Sequence, residues 1–193
     1  MKKFATLAAA AALLAACTSA PPLLRSSTLA STSTPPPPVG YRLQFRLLNV
    51  NVPARLNSEI MVAQSRDGAS YELADETWAA PFPDELRDAI SADLTQQLPG
   101  IDVTYIAAEP QRPVYTLRVS VQNFFTIVGE QTSLAASWSL SGGESPINCV
   151  GTYSTKLPAE NRVNVQSYRE LTTQLSTDII KSFGQYKNGL PCG

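Results

Sequence analysis

Cys17 closes the tetrapeptide Leu14-Ala15-Ala16-Cys17, and that order of residue types points to one chemistry. An aliphatic residue and two small residues suit a narrow peptidase site, and the thiol behind them can take a diacylglyceryl group. The pattern reads as a bacterial lipobox. Upstream, Met1-Lys2-Lys3 is a short cationic start, followed by an apolar run from Phe4 to Ala16. That run falls short of the about 20 apolar residues a bilayer span needs but has the proportions of a signal-peptide h-region. Residues 1–16 are therefore expected to leave as a lipoprotein signal peptide, making Cys17 the lipidated N-terminus. An ordinary secretory signal with an incidental cysteine is the alternative. Cys149 and Cys192 then remain as an even pair in an exported chain, where disulfides persist. One bridge is the simplest assignment and two separate buried thiols the alternative, since spacing alone does not show that they meet.

Groups suited to catalysis are scarce. The chain of 193 residues contains no histidine, which removes Ser-His-Asp and Cys-His nucleophilic sites, His-ligated zinc and an imidazole base. Asp84, Glu85 and Asp88 could be proposed as paired carboxylates, but they sit in the first turn of an expected helix, where the dipole alone favours acids. Asp75-Glu76 reads as a charged loop. Ser141-Gly142-Gly143-Glu144-Ser145 lacks the Lys of a phosphate loop and the Gly-x-Ser-x-Gly of a nucleophile elbow, and reads as a hairpin turn. No enzyme activity, metal or cofactor is expected. Loss of Lys2 and Lys3 takes the formal net charge from -1 to -3, which offers no clustered basic face for nucleic acid and no polybasic hold on an anionic membrane.

Trp78, Trp138, Phe124 and Phe125 are the rings that would line an apolar ligand groove, although core is the commoner fate of such residues. Phe124-Phe125 stands apart, because both faces of one strand cannot easily point inward in a two-layer fold. The pair is the candidate partner contact, through whichever ring is exposed.

The elements that would position these residues follow from periodicity. Thr18 to about Val39 is Ser, Thr, Ala and Pro, with four prolines at Pro35 to Pro38, too poor in apolar residues to offset ordering entropy. With the lipidated Cys17 it makes an expected tether over 17–39, able to hold a domain on the order of 60 to 70 Å from its anchor. Residues 40–193 form the expected domain. Tyr41, Leu43, Phe45 and Leu47 alternate as a strand, with a phase change near Leu48 and a stop at Pro53. Ile60 to Ala63 and a strand opened by Tyr71 and Leu73 should pair across the Arg66-Asp67-Gly68-Ala69 turn. Leu86, Ile90, Leu94 and Leu98 mark a helix beginning at Pro83, and Pro99-Gly100 ends it. Val103, Tyr105 and Ile106 predict a short strand, and Val114 to Phe125 a long one whose alternation breaks at Phe124-Phe125. Strands with Leu134, Ala136, Trp138 and Leu140, and from Ile147 to Lys156, complete a meander. Val165 to Tyr186 is an amphipathic helix with Tyr168, Leu171, Leu175, Ile179, Phe183 and Tyr186 on one face. The expected fold class is α+β, a two-layer sandwich of a largely antiparallel sheet with two amphipathic helices on one face.

Asn51-Val52-Pro53-Ala54-Arg55-Leu56, the hairpin with Ile60 and Val62, and Glu76-Thr77-Trp78-Ala79-Ala80-Pro81 before a helix together carry a resemblance. With the Tyr168-Arg169-Glu170-Leu171 helix and the lipobox, the chain resembles the ABC-type transport auxiliary lipoprotein family, the PqiC-like group. The resemblance implies a lipid-anchored, periplasm-facing lipoprotein of the outer membrane. It also implies an MCE-domain protein as partner, an inner-membrane ABC or related transporter, and phospholipid as traffic. Thr18, where enterobacterial-type sorting would use Asp for inner-membrane retention, agrees with the outer membrane. A lipoprotein that activates a peptidoglycan synthase or assists outer-membrane assembly would share the tether and a small α+β domain, and stands as the alternative.

Overall fold

The computed structural model describes residues 25–30, 40, 43–143, 145–157 and 163–192. The expected signal peptide, Cys17 and the stretches 17–24 and 31–39 of the expected tether lie outside the described residues. In chain order the elements are β1 (Arg25–Ser27), β2 (Leu43–Leu47), a 3-10 turn (Ala54–Leu56), β3 (Ile60–Gln64), β4 (Ser70–Trp78), α1 (Phe82–Gln97), β5 (Gly100–Asp102), β6 (Val114–Ile127), β7 (Gln131–Ser141), β8 (Ile147–Lys156) and α2 (Val165–Lys187).

Alternating residues in β6, β7 and β8 give each strand one apolar and one polar face, and the strands join in antiparallel order through short turns. The other edge of β6 is shared. Its first residues, Val114 to Leu117, pair in parallel with β2, which pairs with β5 beyond. Its last, Ile127, meets Gln64 of β3, and β4 and β1 follow outward. The eight-stranded sheet therefore forks beyond β6. The longest ladders are antiparallel, as expected, while the crossovers around α1 make the β2, β5 and β6 pairings parallel.

Both helices cover one face, giving the α+β sandwich. Helix α2 lies on β7 and β8, and α1 packs beside it and against β5. Leu86, Ile90 and Leu94 of α1 and Leu171, Leu175 and Ile179 of α2 are completely buried against Phe45, Leu47, Leu117, Leu134 and Leu140. An aromatic cluster closes one end: Phe124 stacks on Tyr168 with ring centroids 4.6 Å apart, and Phe82 meets Trp78 and Phe124 at 5.1 and 5.4 Å. Gly142 makes room at the other end, where a Cβ would stand 2.7 Å from the Tyr115 ring.

Three expectations need correction. Asp75-Glu76, expected as a charged loop, lies within β4, where Glu76 pairs with Arg25 of β1. Residues 25–30, assigned to the tether, are part of the domain: β1 runs parallel to β4 and Leu29 is buried in the core. The short strand expected over Val103 to Ile106 ends earlier, at Asp102. There the Asp102 carboxylate accepts the Thr104 N–H at 2.9 Å and bends the chain, leaving Tyr105 and Ile106 exposed.

Candidate functional site

The helices cover one face of the sheet and leave much of the other open. Across β6, β7 and β8 the outward residues fall into cross-strand rows fixed by register. Arg118 stands opposite Ser139 and Ser139 opposite Asn148; in the next row Asn51 bridges to Ser120, which faces Ser137, which faces Val150. Short side chains along β7 lower the middle of this surface. The result is a groove of about 830 Å³, walled by Leu48 and Tyr105 on the β2 side and Val150 on the β8 side. Val150 is 82% exposed and Tyr105 78%, so both walls present apolar surface to water. Arg118 is the only charged residue lining the groove, and among the described residues it has no hydrogen-bond or ion-pair partner.

The Tyr105 wall is held from behind. Asp102, at the end of β5, accepts hydrogen bonds from Arg87 Nη2 at 3.1 Å and Ser91 Oγ at 2.8 Å, both on α1. The Thr104 hydroxyl donates to the Leu47 carbonyl at 3.1 Å. The same Arg87 guanidinium lies 4.8 Å over the Tyr105 ring, a cation–π contact with a charge already largely withdrawn from water.

A second constellation fastens the segment that follows β1. Glu85 Oε2 accepts the Thr28 hydroxyl at 2.7 Å and the Leu29 N–H at 2.8 Å. Arg169 of α2 donates to the carbonyls of Thr28 at 2.8 Å and Leu29 at 3.3 Å. Leu29 sits between them at 1% exposure. Beside this clamp Asp93 of α1 is half-buried against α2. Burial raises its carboxyl above the ordinary value, and the Ser176 and Thr173 hydroxyls counter only part of that; Ser176 Oγ closes no well-formed hydrogen bond among the described residues.

The residues singled out by sequence have different fates. Cys17 lies outside the described residues. Cys149, on the inward face of β8, is bonded to Cys192 with Cα atoms 5.4 Å apart, tying the tail after α2 to the sheet. Of the candidate partner contact, Phe124 is core at 1% exposure, a correction to its role as a docking ring. The register shift between Val121 and Asn123 turns it inward and leaves half-buried Phe125 on the open face. Trp78 and Trp138 are also core, the Trp138 Nε1–H donating to Ser182 Oγ at 3.2 Å. Asp84 and Asp88 are exposed, whereas Glu85 is turned to structural use. No group of three or more His, Cys, Asp or Glu that could hold a metal occurs among the described residues, and none of their helices is long and apolar enough to cross a membrane. Sequence reasoning missed the groove. Its one signal was the Ser and Ala filling every outward position of β7 from Ser133 to Ser139, too small and too uncharged for an ordinary solvated face.

The profile of the ABC-type transport auxiliary lipoprotein component family matches residues 24–180. No curated protein matches the chain. Among solved structures, the crystal structure of an uncharacterized protein superposes with a TM-score of 0.66 at 19% identity, covering 83% of this chain and 99% of that one. A Xanthomonas campestris protein of the DUF330 family does so with a TM-score of 0.56 at 15% identity, covering 86% and 99%. At those identities the likeness is one of fold.

Proposed function

Since the chain belongs to the family of ABC-type transport auxiliary lipoprotein components, we propose that it is an outer-membrane lipoprotein, anchored through Cys17, and a non-enzymatic adaptor for an MCE-type system moving phospholipid between membranes. The family match carries this reading, because it runs from the first docked strand into the last helix. The lipobox and Thr18 support the anchor and its membrane. The missing histidine, and the use of Glu85 to hold backbone, support an adaptor over an enzyme.

The clamp changes how the anchor works. If only Cys17 to Leu24 is free, eight residues reach roughly 26 to 29 Å at full extension, less than half the span expected of the whole tether. The domain then stays near its own membrane, and a partner from the inner membrane must cross most of the periplasm to meet it. A long MCE-type assembly suits that geometry.

Replacing Cys17 by Ala tests the anchor. Lipid chains at one cysteine hold a protein stably when there are two or more, so wild type should fractionate with the outer membrane and carry acyl groups by mass spectrometry. Cys17→Ala should be soluble or retained as precursor, and should fail to restore detergent resistance to a strain lacking the gene. An unmodified Cys17, or wild type found in the inner membrane, would count against the proposal.

A further inference from the structure

We propose that the groove on the open face of the sheet is a binding site for a phospholipid with a net anionic headgroup. This deepens the transport reading and rests on it for the source of the ligand. Three features converge. Arg118 is exposed, has no partner among the described residues, and sits in a lining without a single carboxylate. The mature chain is expected to carry net negative charge, so this is a local field of opposite sign. Around Arg118 the floor offers hydroxyl and amide groups: Ser139 and Asn148 in its own row, Ser120, Ser137 and Asn51 in the next. These suit phosphate oxygens, which a guanidinium can take in bidentate fashion.

The walls supply the other half of an amphiphile's chemistry. Leu48 and Tyr105 on one side and Val150 on the other rise beside the polar floor, so a headgroup on Arg118 places the start of its acyl chains against apolar surface. At about 830 Å³ the groove falls in the range of small-ligand sites, ~300–1,000 Å³. A peptide strand fits less well. The floor is a sheet face whose central strand, β7, is already paired on both sides, with β6 and β8, and strand addition needs a free edge rather than a face.

The test uses the full-length protein purified from membranes in a zwitterionic detergent, with phosphatidylglycerol or phosphatidylcholine carrying a photoactivatable acyl chain. Phosphatidylglycerol should label peptides containing Tyr105 and Val150. Arg118→Glu should cut that labelling roughly tenfold or more, the scale of a lost charge-assisted bond, and Val150→Asp should cut it while leaving Arg118 in place. Both side chains are exposed, so thermal melts should match wild type. Equal labelling by phosphatidylcholine, labelling that survives Arg118→Glu, or displacement by millimolar inorganic phosphate alone would overturn the proposal, the last by making the site one for free anion. Capture of a transporter is a separate measurement. An empty groove would leave the adaptor role standing, and a filled groove on a protein that captures no transporter would remove the role and keep the site.

Discussion

Glu85 shows what a single residue can hide. Its place in the first turn of α1 is explained by the helix dipole, and nothing nearby in sequence says otherwise. Its partners are Thr28 and Leu29, more than fifty residues earlier. Removing the carboxylate strands a buried N–H, so Glu85→Ala should cost about 1–3 kcal/mol in urea unfolding and speed tryptic cleavage after Arg25. Glu85→Gln, which keeps an acceptor, should lose less. Asp93 works in the opposite sense. Because burial raises its folded carboxyl above its unfolded value of 3.8, the native state holds that proton more tightly, and stability falls as pH rises from the unfolded value through the folded one. Asp93→Asn should therefore raise the melting temperature at pH 7 and flatten the pH dependence above 3.8. A variant less stable than wild type at pH 7 would show that the carboxylate is a net asset between the helices.

At the scale of elements, regular strands and helices were legible and interruptions were not. Alternation identified β6, β7 and β8 with their inward faces, and four-residue spacing identified both helices, because one period dominates each segment. The irregularity in β6 was legible too, but its consequence was not. The shift lies between Val121 and Asn123, and that position decides that Phe124, not Phe125, joins Tyr168 and Phe82. Phe124→Ala should cost about 3–5 kcal/mol as a core truncation, whereas Phe125→Asp should leave the melt near wild type. If Phe125 meets a partner, the same Phe125→Asp variant should weaken transporter capture. A large loss of stability from Phe125→Asp would place that ring in the core as well. β1 was illegible for a simpler reason: three residues, Arg25-Ser26-Ser27, carry no pattern, and only the waiting edge of β4 and the Glu85–Arg169 clamp make them a strand.

Across the whole molecule, the layers followed from composition and periodicity, but the forked sheet and the groove did not. Both depend on which strands meet β6 along its second edge, a long-range pairing that no local period records. The groove needs β5 and the Leu48–Asn51 segment beside β6 to raise one wall over the short side chains of β7. Docking of residues 25–30 against β4 and the helices is likewise a long-range pairing, and it takes those residues out of the expected tether. Together these features describe a domain that includes residues 25–30, with a polar-floored groove on the face its helices leave open. The most direct test of the adaptor role is crosslinking of the full-length chain in native membranes, followed by mass-spectrometric identification of what it captures. The account predicts an MCE-domain protein together with its transporter. Capture of a peptidoglycan synthase or an outer-membrane assembly factor in their place would contradict it.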